Sequence, residues 1–246
     1  MIKIILYLFL IGHVLGDFYL QSTTMAEGKN KSFKELLKHC GLYLVAMLLA
    51  IIPIFSWAII MYAGAIAISH FVIDVVKFLL RNSKFIKGKE TFVYIIDQLL
   101  HIIIVVSAAG MLDNSVNPVG YIGFINSVVD KTQLDVVAII QWVLVILVII
   151  KPVSVTIKTV LNYYRPETDE EKEGFPNAGA LIGVLERCII LALLSAGQYS
   201  AIGFVLTAKS VARYNKMADN PKFSEYYLLG TLLSTLLVII AYFVML

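Results

Sequence analysis

Long apolar runs constrain this chain more than any other feature of its sequence. Each run is close to the roughly 20 residues that a helix needs to cross the hydrocarbon core of a bilayer. The predicted spans are 2–21, 36–54, 57–80, 91–112, 134–161, 178–196, 198–213 and 225–246. Only 15% of the residues are charged, against about 25% in average globular domains. The sequence therefore predicts an all-α fold, a polytopic transmembrane helix bundle of seven or eight spans.

Charged loops predict the orientation of the spans. Lysine and arginine are concentrated in loops 22–35, 81–90 and 209–224, whereas loop 113–133 is acidic. Because basic loops stay in the cytoplasm, both termini are predicted to face outward.

The same patterns divide the chain into four segments. They are a four-helix His/Asp membrane unit at 1–112, a kinked fifth span at 113–164, an acidic cytoplasmic linker at 165–177 and a three-helix membrane unit at 178–246. The kink is predicted at Lys151-Pro152, because proline cannot donate a backbone hydrogen bond within a helix.

Histidine and aspartate recur four residues apart inside the apolar runs. The motifs HVLGD, HFVID and DQLLH contain the pairs His13/Asp17, His70/Asp74 and Asp97/His101. Positions i and i+4 of a helix share one face, so each pair projects to one side of its helix.

The depth of these pairs predicts that they meet. On the predicted topology the pairs and the fourth histidine, His39, all lie near the cytoplasmic ends of the first four spans. The order "His-x-x-x-Asp, basic loop, apolar helix with a histidine" occurs twice, which suggests a faint repeat of a helical hairpin. Gly16 is expected to let a neighbouring helix approach closely.

Imidazole and carboxylate groups together are typical ligands of divalent transition metals. A carboxylate inside a membrane is also costly unless it is paired or coordinated. The sequence therefore predicts a metal site, with Zn preferred and Mn or Fe as alternatives. Its candidate ligands are His13, Asp17, His39, His70, Asp74, Asp97 and His101, with His13, His70 and His101 as the first choice. This set would suit either one metal with an outer shell or two metals about 4 Å apart.

Two interpretations without a metal use the same residues. Each His–Asp pair could form a hydrogen bond that supports helix packing, or the groups could form a proton relay. His39 follows two lysines and could equally be a solvated histidine at the membrane surface.

Charged residues also occur inside the later spans. Glu186 and Arg187 lie about two turns into the sixth run, and Lys209 and Arg213 lie four residues apart in the seventh. Glu186 is expected to pair with Lys209 or Arg213, and Arg187 with Glu225. Basic groups at this depth suit a lipid phosphate, so Glu186, Arg187, Lys209 and Arg213 are predicted substrate-binding residues, with a structural ion-pair network as the alternative.

The three motifs together resemble a known family pattern. HxxGDxxxQ, HxxxD and DQxxH follow one another within about residues 5–110, as in bacterial inner-membrane proteins known only as a domain of unknown function. The resemblance implies a multi-pass protein of the bacterial cytoplasmic membrane and brings no activity with it. A looser similarity, at the level of fold alone, is to membrane-bound metal-dependent hydrolases.

Three functions fit these observations. The first is a metal-dependent hydrolase of a lipid or lipid-linked substrate, with Asp17, Asp74 and Asp97 as candidate catalytic residues; the absence of an HExxH helix argues against it. The second is a transporter of a divalent cation or proton, which the almost unbroken apolar outer halves of spans one to four disfavour. The third is a non-catalytic, metal-stabilised scaffold. Membrane lipid is the predicted partner and nucleic acid is not, while the oligomeric state stays open.

Overall fold

A computed structural model describes residues 2–54, 56–81, 83, 88–113, 121–165 and 178–246. All the regular elements within these ranges are helical, which confirms the predicted fold class. They are α1 (Ile2–Val14), which continues as a π-helical turn (Leu15–Tyr19), α2 (Thr23–Gly28), α3 (Phe33–Ala50), α4 (Trp57–Leu80), α5 (Glu90–Asp113), α6 (Gly123–Thr132), α7 (Val136–Ile150), α8 (Pro152–Leu161), α9 (Ala178–Ser195), α10 (Tyr199–Val211), α11 (Tyr214–Asp219) and α12 (Pro221–Met245). Short 3₁₀ turns occur at Ile52–Ile54 and Asn162–Tyr164.

Six helical segments in these ranges are long and apolar enough to cross a membrane. They are Ile2–Tyr19, Trp57–Leu80, Glu90–Leu112, Val136–Tyr164, Ala178–Ser195 and Pro221–Met245. Large apolar side chains on these segments, such as Trp57 and Met61, are 79% and 74% exposed, as expected of surfaces that contact lipid.

The predicted count of seven or eight spans is not confirmed. Segments 36–54 and 198–213 are helical but do not belong to the six. The first turns of α3 carry three charged residues, Lys34, Glu35 and Lys38. Helix α10 has 13 residues, which gives a length of roughly 20 Å against a hydrocarbon core of about 30 Å.

The chain divides into two compact units, residues 1–144 and 145–246. In the first unit, α1 packs against α3 and α5, and α4 packs against the same two helices, so the four form a closed ring around a shared interior. In the second unit, α9 and α12 pack together and α8 contacts both. Its apolar core includes Val145, Ile149, Ile190 and Val238. The four segments proposed from the sequence stay a prediction, and the acidic linker at 165–177 lies outside the described residues apart from Arg165.

Two glycines on α1 allow its close approach to α3. A Cβ atom added to Gly12 would lie 2.7 Å from Met47 Sδ, and one added to Gly16 would lie 2.6 Å from Tyr43 Cδ2. Neither position has room for a larger residue, and the predicted packing role of Gly16 is confirmed. The Leu20 N–H donates to the Leu15 carbonyl, five residues earlier, at 2.8 Å. This bond closes the π-helical turn that carries Asp17, a geometry that is common at functional sites.

The predicted break at Lys151-Pro152 is also confirmed. Helix α7 ends at Ile150 and α8 begins at Pro152, because proline has no N–H to continue the hydrogen-bond ladder. The Ser154 hydroxyl donates to the Ile150 carbonyl at 2.6 Å, which satisfies one of the carbonyl groups near the break.

Candidate metal centre

The first unit brings the predicted histidines and aspartates together in one buried cluster, none of them more than 9% exposed. This His/Asp cluster consists of His13, Asp17, His39, His70, Asp74, Asp97 and His101. The convergence that the shared depth predicted is therefore present. His39 is fully buried, so its interpretation as a solvated surface histidine is wrong.

Four ligand atoms from three segments, the π-helical turn after α1, α3 and α4, form the centre of the cluster. His39 Nε2 lies 3.1 Å from His70 Nε2, 3.3 Å from Asp74 Oδ2 and 3.4 Å from Asp17 Oδ1. His70 Nε2 lies 3.6 Å from the same oxygen of Asp74 and 3.5 Å from that of Asp17. Four ligands bound at about 2.0–2.1 Å around one tetrahedral ion would lie roughly 3.3–3.4 Å apart. The donor set and these five of the six pairwise distances are compatible with a small divalent transition metal, and the ligand atoms of His39, His70 and Asp74 all lie within 4.8 Å of one another.

Neighbouring side chains orient two of these four ligands, Asp17 and His70. The Gln98 amide donates to Asp17 Oδ2 at 3.2 Å, which leaves Oδ1 facing the two imidazoles. The Tyr43 ring stacks on His70, with centroids 3.8 Å apart and planes 2° from parallel. Its hydroxyl lies 3.3 Å from His13 Nδ1, which ties the first histidine to the same aromatic side chain. Such supporting contacts fix the direction in which a histidine or carboxylate presents its lone pairs.

Asp97 and His101 lie beside this centre. Asp74, Asp97 and His101 place one ligand atom each within 4.8 Å of one another, and His13, Asp17 and His70 do the same. The rings of His70 and His101 are 4.3 Å apart. Neither ring nitrogen of the buried His101 has a hydrogen-bond partner among the described residues. Buried polar groups are normally hydrogen-bonded, so these open nitrogens mark a place where a ligand or water is expected.

Sequence analysis missed two lysines that complete the cluster. Lys77 Nζ lies 2.8 Å from both Asp74 Oδ1 and Asp97 Oδ1, where a second cation between the two carboxylates would otherwise fit. Lys29 Nζ lies 3.2 Å from Asp74 Oδ2 and from His39 Nε2. Lys29 was interpreted only as a cytoplasmic loop charge, yet it is 9% exposed. The i,i+3 spacing of Asp74 and Lys77 could have identified Lys77, whereas no local pattern identifies Lys29.

The charges of the cluster do not cancel. Its three carboxylates, Asp17, Asp74 and Asp97, face two ammonium groups, Lys29 and Lys77. With neutral imidazoles one negative charge remains, and an uncompensated buried charge is costly. One proton on an imidazole would cancel this charge, whereas a divalent metal ion would reverse it to +1.

The predicted substrate-binding residues lie in the second unit. Lys209 forms an ion pair with Glu186, as expected, and Lys209 also donates to Thr231 Oγ1 at 3.1 Å. Arg187 does not pair with Glu225, which is exposed. Instead, Arg187 binds neutral groups around the α7–α8 break.

The groups that accept hydrogen bonds from Arg187 lie on α7, α8 and α12. Its Nε donates to the Ile149 carbonyl at 2.6 Å, and its terminal nitrogens donate to the Ile150 carbonyl, Ser154 and Ser234. The break at Pro152 creates acceptors that the sequence pattern of charges does not display. Arg213 lies over the Tyr227 ring, 5.9 Å from its centroid.

Residues 5–128, half of the chain, match the family described as Protein of unknown function (DUF3307), and the chain belongs to that family. Comparison with curated proteins and with solved structures gives no significant match.

Proposed function

We propose that this member of the DUF3307 family is a metal-dependent membrane hydrolase whose His/Asp cluster holds one divalent transition metal, Zn in preference to Mn or Fe. Its substrate is a lipid or lipid-linked molecule at the cytoplasmic leaflet of the bacterial inner membrane. The observation that carries the metal site is the set of five distances, 3.1–3.6 Å, among His39, His70, Asp17 and Asp74. These four residues are the proposed ligands.

The cluster supports one ion rather than two. A second cation would belong between Asp74 and Asp97, but Lys77 is already 2.8 Å from a carboxylate oxygen of each. An ammonium group there neutralises the two carboxylates and makes a second ion unfavourable by charge repulsion.

The remaining residues have distinct proposed roles. A bound divalent ion would supply a Lewis acid and an acidified water. Asp97 lies outside the four ligands, and its Oδ1 is 3.6 Å from His101 Nε2, so Asp97 is the proposed general base. His101, with two open ring nitrogens, is placed to exchange a proton with Asp97.

A proton transporter is the second candidate. Lys29, His39 and His70 form a continuous chain of titratable groups, with nitrogen atoms 3.2 Å and 3.1 Å apart. Such a chain can pass a proton without any metal.

Metal content of the full-length protein in detergent tests the metal site. After growth with added Zn, Mn and Fe, elemental mass spectrometry should find one ion per chain. His39→Ala and Asp17→Asn should lose it. Glu35→Gln removes a partly exposed carboxylate of α3, one turn before His39, and should retain the metal. Elution volume in size exclusion monitors folding, and a wild type without stoichiometric metal overturns the site.

Turnover tests the enzyme. The metal-loaded protein is incubated with vesicles of phosphatidylethanolamine and phosphatidylglycerol, and the products are identified by mass spectrometry. We expect metal-dependent cleavage that Asp97→Asn abolishes while the metal is retained. Metal or proton flux into vesicles without lipid cleavage would indicate a transporter instead of a hydrolase. The absence of both activities would indicate a metal-stabilised scaffold.

A further inference from the structure

A second concentration of charge lies in the second unit and has its own cavity. The cavity has a volume of about 470 Å³ and lies among α8, α9, α10 and α12. Three of the candidate membrane spans, Val136–Tyr164, Ala178–Ser195 and Pro221–Met245, contribute to its wall. It is larger than a metal site requires and falls in the size range of small-molecule sites.

The charge of the cavity is strongly positive. Lys158, Arg187, Lys209 and Arg213 line it, and Glu186 is the only carboxylate among the described residues of its wall. Because Glu186 pairs with Lys209, three positive charges remain. The carbonyl and hydroxyl partners of Arg187 satisfy its hydrogen bonds but carry no full negative charge. Glu186, the residue before Arg187, interacts with this guanidinium but is already paired with Lys209, so an approaching anion would offset the positive charge that remains.

A glycine leaves one side of this guanidinium open. Gly183 lies one helical turn before Arg187, and a Cβ added to Gly183 would lie 3.4 Å from Arg187 Nη1. At Gly179, one turn earlier, an added Cβ would meet no atom within 4 Å. The missing side chains therefore widen the cavity directly beside the guanidinium group.

Another part of the wall is apolar. Val155, Ile157, Leu161 and Ile182 line the same cavity as the basic residues. A wall with arginine and lysine on one part and branched aliphatic side chains on another suits a molecule with a phosphate at one end and a hydrocarbon chain at the other.

We infer that the second unit contains a binding site for the phosphate-bearing headgroup of an anionic lipid. Arg187, Arg213 and Lys158 bind the phosphate, and the aliphatic part of the wall contacts the first segment of the acyl chain. This inference does not rest on the metal site. The headgroup phosphate and free phosphate share the same chemistry, so the test separates them.

The test measures lipid binding to the delipidated full-length protein. The protein is placed in phosphatidylcholine nanodiscs, and phosphatidic acid is titrated and counted per chain by native mass spectrometry. We expect one saturable phosphatidic acid per chain. Inorganic phosphate, added at millimolar concentration, is the second arm. Lipid binding that phosphate does not displace identifies the headgroup with its chain, and full displacement identifies phosphate recognition alone.

Three variants locate the site. Lys158→Ala with Arg213→Ala changes two exposed residues and should weaken binding at least about tenfold. Gly183→Leu keeps every charge but fills the space beside Arg187, and should weaken binding to a similar extent. Lys222→Ala removes an exposed charge of α12 that does not line the cavity and should have no effect.

Two results would overturn the inference. One is equal affinity for phosphatidic acid in the wild type and the double variant. The other is an equal loss in Lys222→Ala, which would indicate attraction by the overall positive charge. Metal content should remain unchanged in all these variants, so a failed metal site and a failed lipid site give different results.

Discussion

The two units handle buried charge in opposite ways. In the first, carboxylates and ammonium groups alternate, with Lys77 2.8 Å from both Asp74 and Asp97, and the surplus charge is negative. In the second, Glu186 is the single carboxylate beside four basic residues among the described residues of the cavity wall, and the surplus is positive. One unit is therefore suited to a cation and the other to an anion.

The two units also differ in how tightly the residues pack around the charged groups. The central atoms of the His/Asp cluster lie 3.1–3.6 Å apart, and the glycines of α1 are closed over by α3. The second unit keeps about 470 Å³ open, and its glycines widen that space. A small ion is bound when its ligand atoms already converge, whereas a headgroup needs volume as well as charge.

Removal of one charged side chain from each unit should produce the largest difference in stability between the units. Asp74 contacts Lys29, Lys77 and His39, so Asp74→Asn leaves the buried Lys29 ammonium without its carboxylate partner and leaves Lys77 paired with Asp97 alone. We expect the free energy of unfolding in detergent to fall by about 3–5 kcal/mol. In the second unit, Lys158→Ala should change it by less than about 0.5 kcal/mol. Similar losses of stability in Asp74→Asn and Lys158→Ala would contradict the difference between the two units.

The same glycine substitution should have unequal effects in the two units. Gly16→Ala forces a Cβ against Tyr43 at 2.6 Å, which should cost about 1–3 kcal/mol of stability. Gly179→Ala meets open space and should be close to neutral. Thermal unfolding of both variants in one detergent measures the difference. A neutral Gly16→Ala variant would show that the approach of α1 to α3 is not tight.

Removal of a buried ammonium group should strengthen metal binding. Lys29 lies 3.2 Å from two of the proposed ligands, so its charge repels an incoming cation. Lys29→Met should bind Zn²⁺ at least about tenfold more tightly, measured by competition with a chromogenic chelator. Lys31→Met is the matched control, because Lys31 lies two residues after Lys29 and is exposed. Weaker binding in Lys29→Met would mean that this lysine supports the site instead of competing with the ion.

Neutralising Glu186 should strengthen anion binding in the second unit, and this effect should be the smallest of the four. Glu186→Gln raises the positive charge of the cavity by one and frees Lys209 from its ion pair. Phosphatidic acid should bind about fivefold more tightly, as one additional charge is worth about 1 kcal/mol near a membrane. Glu225→Gln, an exposed residue of α12 outside the cavity wall, should leave the affinity unchanged. An unchanged Glu186→Gln would argue that the cavity does not bind anions.

Local sequence patterns predicted a large part of the fold and the cluster. Apolar runs identified the helices, Pro152 identified the α7–α8 break, and i,i+4 spacing grouped each histidine with its aspartate. Three features were not predictable by these means. The short α2, which precedes Lys29, has no apolar periodicity. The 13-residue α10 is apolar like a span but too short to cross the bilayer. The carbonyls that bind Arg187 exist only because α7 and α8 separate at Pro152.

The sequence by itself determined that this chain is helical, apolar enough for a membrane, and provided with four histidines and three aspartates on helix faces. Those properties depend on residue type and short spacings, which act within one helix. Only the tertiary structure decided which atoms meet. His39, Asp17, His70 and Asp74 come from three different segments, and Lys29 reaches them from a fourth. Contacts between distant segments depend on how the helices pack. The close approach of α1 to α3 at Gly12 and Gly16 is one example.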